Sequence, residues 1–127
     1  MAFEHKFNVM ENKFEHLRKD CRKELPQPWT HYPVLSDYEV VPVYREGPYI
    51  MDALIGQQDD RWVVGVRFKC GTSGHYFAPG RKWGEFVSRE NALLWALGWM
   101  LTREEVTGVV RRIVLERIND IRQLKFF

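Results

Sequence analysis

A chain of 127 residues with 45% apolar, 14% aromatic and 28% charged side chains is one domain by length and long enough to bury a core without staples. No run approaches the roughly 18 consecutive apolar residues of a membrane span, and the charged start from Glu4 onward lacks the apolar stretch of a signal peptide. The net charge of +2 hides an uneven distribution: residues 26–60 carry −5 and residues 61–89 carry +5.

Phe3, Phe7, Met10, Phe14, Leu17 and Cys21 recur at steps of three and four. That heptad seam predicts an amphipathic helix from about Ala2 to Glu24, stopped by Pro26 and Pro28. The seam has two possible uses. It could pack on the sheet face that the C-terminal helices leave open. Alternatively, Phe3, Phe7, Met10, Phe14 and Leu17 could form an interface with a second copy or another protein. Phenylalanine is unusual at the core positions of a dimeric coiled coil, which favours packing on the sheet.

Residues 25–37 (LPQPWTHYPVLSD) hold three prolines and read as an extended connector, pinned to the body by Trp29, Tyr32 and Leu35. Three strands are expected next. Tyr38–Tyr44 contains Pro42 and belongs at a sheet edge or bulge. Pro48–Gln57 is apolar on both faces apart from Asp52, so it should be central and covered on both sides. Arg61–Cys70 alternates: Trp62, Val64, Val66, Phe68 and Cys70 point one way, and Arg61, Val63, Gly65, Arg67 and Lys69 the other. Gln58-Asp59-Asp60 should close a hairpin between the last two. Gly71–Gly84 reads mostly as turn and loop, with room for a short strand near His75–Ala78.

Ser88 should cap a buried helix running to about Leu101, because Ala92–Leu97 is apolar on nearly every side. Thr102 and Glu105 have the spacing of a capping box, which predicts a last helix from Arg103 to about Leu124. Its apolar stripe would be Val106, Val109, Val110, Ile113, Ile118 and Ile121. The fold class expected is α+β: one compact domain over 1–127 with a three- to four-stranded antiparallel sheet, an N-terminal helix and two C-terminal helices.

No catalytic, cofactor or metal motif emerges. His5 and His16 share a helix face only at about 16 Å separation, and neither cysteine has a CxxC partner. Two cysteines without motif spacing fit buried thiols in a reducing, cytoplasmic compartment. Cys70 and His75 are near in sequence without a third orienting group. Asp52 in an otherwise apolar strand should either pair with an arginine of the third strand or point into a pocket, and pairing is favoured. The glycine-rich stretches 71–74 and 79–84 match no phosphate-loop pattern.

The strongest functional set is basic and aromatic: Arg61, Arg67, Lys69, Arg81, Lys82, Trp83 and Arg89. Arginine gives bidentate phosphate contacts and an exposed tryptophan can stack on a base. A competing account has neighbouring strands pairing these charges across the sheet. The order helix, three strands, helix resembles the layout of the double-stranded RNA-binding domain. Glu85–Leu97 (EFVSRENALLWAL) resembles that domain's final helix. That family carries a lysine cluster at the start of its last helix where this chain has only Arg89, so no binding residue is carried over. The expected function is a non-enzymatic module that binds nucleic acid or a nucleoprotein complex. The alternative is a protein-binding modulator, such as a small phage or mobile-element inhibitor of a host nuclease, acting by protein contact or as a homodimer.

Overall fold

The computed structural model describes residues 11–124. Four strands, β1 (Glu39–Tyr44), β2 (Tyr49–Gln58), β3 (Arg61–Cys70) and β4 (Ser73–Phe77), form an antiparallel meander in the order β1-β2-β3-β4. Helices α1 (Arg89–Leu101) and α2 (Gly108–Leu124) follow. Together they make an α+β domain.

The alternation read in β3 sets the layers. Val64, Val66 and Phe68 join Met51, Ala53 and Ile55 of β2 and Val43 of β1 in the buried core under the helices. β2 is covered on both faces from Met51 to Ile55, as its composition predicts, while Ile50 stays exposed. Asp59 and Asp60 close the β2–β3 hairpin with φ of 53° and 64°, the paired left-handed geometry of a type I′ turn. Short polar aspartates tolerate it better than bulky residues do. Ser88 caps α1 by accepting from the Asn91 amide at 3.0 Å. Nine of the thirteen residues of α1 are buried, so it is sandwiched rather than amphipathic. α2 contributes Val110, Val114 and Ile118 at four-residue spacing.

Three expectations fail on physical grounds. Residues 11–24 are not an α-helix; they hold two single 3-10 turns, Glu15–Leu17 and Arg22–Glu24. The side chains of Asn12 and Asp20 accept from the amides of Phe14 and Arg22, two residues on. Such local bonds divert amides that a helix would use. Lys19 instead pairs both backbone groups with Glu85. Phe14 lies in the core on the α1 side and Leu17 packs beside it, not on the open sheet face. Phe3, Phe7 and Met10 of the seam lie outside the described residues. With only 3-10 turns over 11–24, that stretch does not supply the first helix of the RNA-binding family's layout.

The capping box is not formed either. The Thr102 hydroxyl donates back to the Trp99 carbonyl, and the Glu105 carboxylate accepts from Ser73 instead. The last helix therefore begins at Gly108, not Arg103. Val109, placed on its apolar stripe by periodicity, is 53% exposed.

The second face of the sheet is divided. Its half near the Asp59-Asp60 hairpin is roofed by the connector and by the chain leaving β4. There the Leu35 amide donates to Pro79 O at 2.8 Å, and Leu54 and Val63 are fully buried. Gly65 makes this possible: a Cβ there would fall 2.1 Å from the Phe77 carbonyl oxygen. Among the described residues the other half has no such roof.

Candidate nucleic-acid interface

The strand registers place the bare half. Pro42, Asp52, Arg67 and Tyr76 are successive cross-strand partners and form one row over all four strands. Ile50, Lys69 and Gly74 form the next row. Directly opposed residues share a face, so these side chains stand together.

Asp52 is fully buried and anchors the first row. Arg67 Nη1 donates to it at 3.2 Å, the pairing expected from sequence, and Arg45 Nε donates at 2.9 Å. The two guanidinium side chains keep 39% and 50% of their surface in water. The Arg67 guanidinium also lies 5.6 Å from the centre of the Tyr76 ring, a cation–π distance. Tyr76 is 59% exposed. Its hydroxyl meets that of Tyr38 at 3.0 Å, and this bond raises the Tyr38 phenol above its ordinary value. Lys69 is exposed and has no ion pair or hydrogen bond among the described residues. One buried carboxylate thus binds two guanidiniums, Arg45 and Arg67, while Lys69 stands in the next row.

The other members of the basic set are dispersed. Arg61 and Arg81 lie near the β2–β3 hairpin around Glu85. Arg61 donates to Glu85 Oε1 at 2.7 Å and Arg81 to Oε2 at 3.0 Å. Arg81 also reaches Asp59 at 3.2 Å and is largely buried. Burial pushes the Glu85 carboxyl up. The hydrogen bond from Arg81 and the charges of Arg61, Arg81 and Lys19 outweigh it and hold the carboxyl below its ordinary range. Arg89 meets both oxygens of Glu39, at 2.9 and 2.6 Å, and that hydrogen bonding lowers the Glu39 carboxyl. Lys82 donates to the Thr30 carbonyl at 3.1 Å. Its ammonium also lies 5.2 Å from the Trp83 ring centre. Trp83 meets Phe77 edge to face at 6.0 Å, beside Trp95 and the Glu15–Arg18 pair. Only Arg67 and Lys69 of the seven share the bare sheet.

Sequence reading missed Arg45, Tyr38 and Tyr76. Tyr76 was hidden in a glycine-rich stretch read mainly as loop. The signal was there: a two-residue turn at Gly71-Thr72 puts Tyr76 opposite Arg67. Cys21 is buried, and burial raises its thiol. Cys70 is half-buried and pairs with Ser73 in the ladder, while the His75 ring packs on Trp99. Among the described residues no cluster of three or more His, Cys, Asp or Glu could hold a metal ion, and no helix is long and apolar enough to cross a membrane. Comparison with protein-family models, curated proteins and solved structures finds no match for this chain.

Proposed function

We propose that this domain is a non-enzymatic binding module that takes single-stranded nucleic acid on the bare half of its sheet. The observation that carries the reading is the exposed Tyr76 ring beside Arg67, with Lys69 unpaired among the described residues. A base stacked on an aromatic ring contributes about 1–3 kcal/mol, and nearby cations attract the backbone. A duplex keeps its base faces occupied, so the ring favours unpaired bases. Arg61, Arg81 and Arg89 are already neutralised by Glu85, Asp59 and Glu39 and add little to the attraction.

Fluorescence anisotropy with labelled single- and double-stranded DNA and RNA across a salt series tests this. The expected result is preference for single strands, with a log–log salt slope of roughly −1.5 to −2 for two to three phosphates. Lys69→Glu should weaken binding and flatten that slope. Absence of binding to every probe at low salt sinks the proposal.

One observation favours a protein partner instead. Among the described residues β4 is an open sheet edge with four of its five residues exposed, and such an edge can accept a further strand. A protein partner predicts indifference to Lys69→Glu and loss of binding when β4 is altered.

A further inference from the structure

We infer that the groove over Gly74 seats one phosphorylated nucleotide of the bound strand, with the base on Tyr76 and the phosphate at Lys69 and Thr72. This rests on the nucleic-acid reading above and gives it a minimal ligand. The groove is shallow and open to solvent, and Arg67, Lys69, Thr72, Gly74 and Tyr76 line it. Gly74 is its floor. Having no side chain, it leaves backbone bare between Tyr76, two residues along the same strand face, and Lys69, its direct partner. Two residues of strand span about 7 Å, the scale on which a nucleotide separates its base from its phosphate.

The two ends differ in chemistry as that ligand requires. At one end stands an exposed ring with a guanidinium against it. At the other stand three ammonium donors and the Thr72 hydroxyl, none partnered among the described residues. The Ser73 hydroxyl is committed to Glu105. Glu105 sits next to Arg103, with Nε and Oε1 4.0 Å apart, so its charge does not stand alone behind the groove. A Cβ at Gly74 would come 3.1 Å from the Phe68 carbonyl oxygen, which is tight but not forbidding, and it would occupy the floor.

The test is an amide NMR titration of the full chain with uridine and adenosine monophosphates, alongside uridine and inorganic phosphate. The expected result is saturable movement of the Gly71, Thr72 and Gly74 amides with the monophosphates. Affinity for uridine or phosphate alone should be at least about tenfold weaker. Gly74→Ala and Lys69→Gln should each weaken monophosphate binding while the rest of the spectrum is retained. Lys69→Gln keeps the test decisive if Gly74→Ala disturbs the hairpin. Phosphate binding as tightly as the monophosphates overturns the inference, as does movement confined to other amides or no movement at all. A labelled single-stranded oligonucleotide separates the two claims. If it binds while the groove amides stay still, only the nucleotide seat is wrong; if it also fails, both readings fall.

Discussion

Arg67 on β3 and Tyr76 on β4 are direct cross-strand partners, and the guanidinium lies 5.6 Å from the ring centre. The same guanidinium bonds the fully buried Asp52. Arg67 is therefore held from inside by a carboxylate and from outside by a ring. A charge reversal there would set two carboxylates together in the sheet and would test folding before it tested binding. Tyr76 and Lys69 have no buried obligation of that kind, so they separate function from fold.

Tyr76→Ala should weaken single-strand binding by roughly 5- to 150-fold, the loss of about 1–3 kcal/mol of stacking. Tyr76→Phe keeps the ring and removes only the hydroxyl bond to Tyr38, so its affinity should stay within about twofold. Both are read by anisotropy at one salt concentration. Equal binding by the alanine variant and the parent would remove Tyr76 from the site.

Asp52→Asn should destabilise the domain. Removing one partner of a buried ion pair costs about 3–5 kcal/mol when both charges are enclosed. Here the arginines keep 39% and 50% of their surface in water, and solvent screens what is left. A loss of about 2 kcal/mol is expected, read as a lower urea midpoint at unchanged m-value. An unchanged midpoint would mean that Asp52 does not anchor the row.

Acid should unfold the domain in a defined window. The carboxyls of Glu85, Glu39 and Asp59 all sit below their ordinary values in the folded state. A depressed carboxyl contributes stability that is fully present above its unfolded pKa of about 4. That stability is lost as pH falls through the lower, folded value. Urea midpoints should therefore hold from about pH 7 to 5 and fall steeply below about pH 4. Glu85→Gln should lower stability at neutral pH by about 3 kcal/mol, since Arg81 is largely buried beside it. It should also flatten the acid limb. A variant as steep as the parent below pH 4 would clear Glu85 of that role.

How much was legible follows from where each constraint lives. The β3 alternation, the Asp59-Asp60 hairpin and the Ser88 cap are local, and each stands in the structure at its expected place. The heptad spacing of Phe14, Leu17 and Cys21 was equally regular, yet these residues occupy turns. Distant partners hold the segment instead: Asn12 donates to the Trp95 carbonyl, Lys19 pairs with Glu85 and Cys21 donates to the Arg81 carbonyl, at least 60 residues away in each case. The capping-box spacing failed for the same reason: Glu105 is drawn to Ser73 on β4. The basic set was grouped by closeness along the chain. The meander puts Arg89, through Glu39, at the β1 edge. That edge is about 14 Å by strand spacing from β4, where Tyr76 stands. Sequence offered no register by which to separate them.

The docking of the N-terminal segment gives the last prediction. A Cβ on Gly98 of α1 would fall 2.1 Å from Asn12 Oδ1 and 2.8 Å from Phe14 Cδ2. The missing side chain therefore lets Phe14 lie in the core while Asn12 Nδ2 donates to the Trp95 carbonyl at 3.0 Å. Alanine is the better helix former, by about 1 kcal/mol over glycine, so helix propensity alone predicts that Gly98→Ala stabilises. Overpacking costs about 1–3 kcal/mol, and both neighbours sit on a segment held by turns. We expect overpacking to win, with a net loss of about 1 kcal/mol in urea unfolding and faster amide exchange over 14–18. Phe14→Ala removes one of the two obstructing groups. In a double-mutant cycle the Gly98→Ala penalty should shrink or change sign on the Phe14→Ala background. Strict additivity would show that Gly98 and Phe14 do not share a contact, and that α1 does not seat the N-terminal segment.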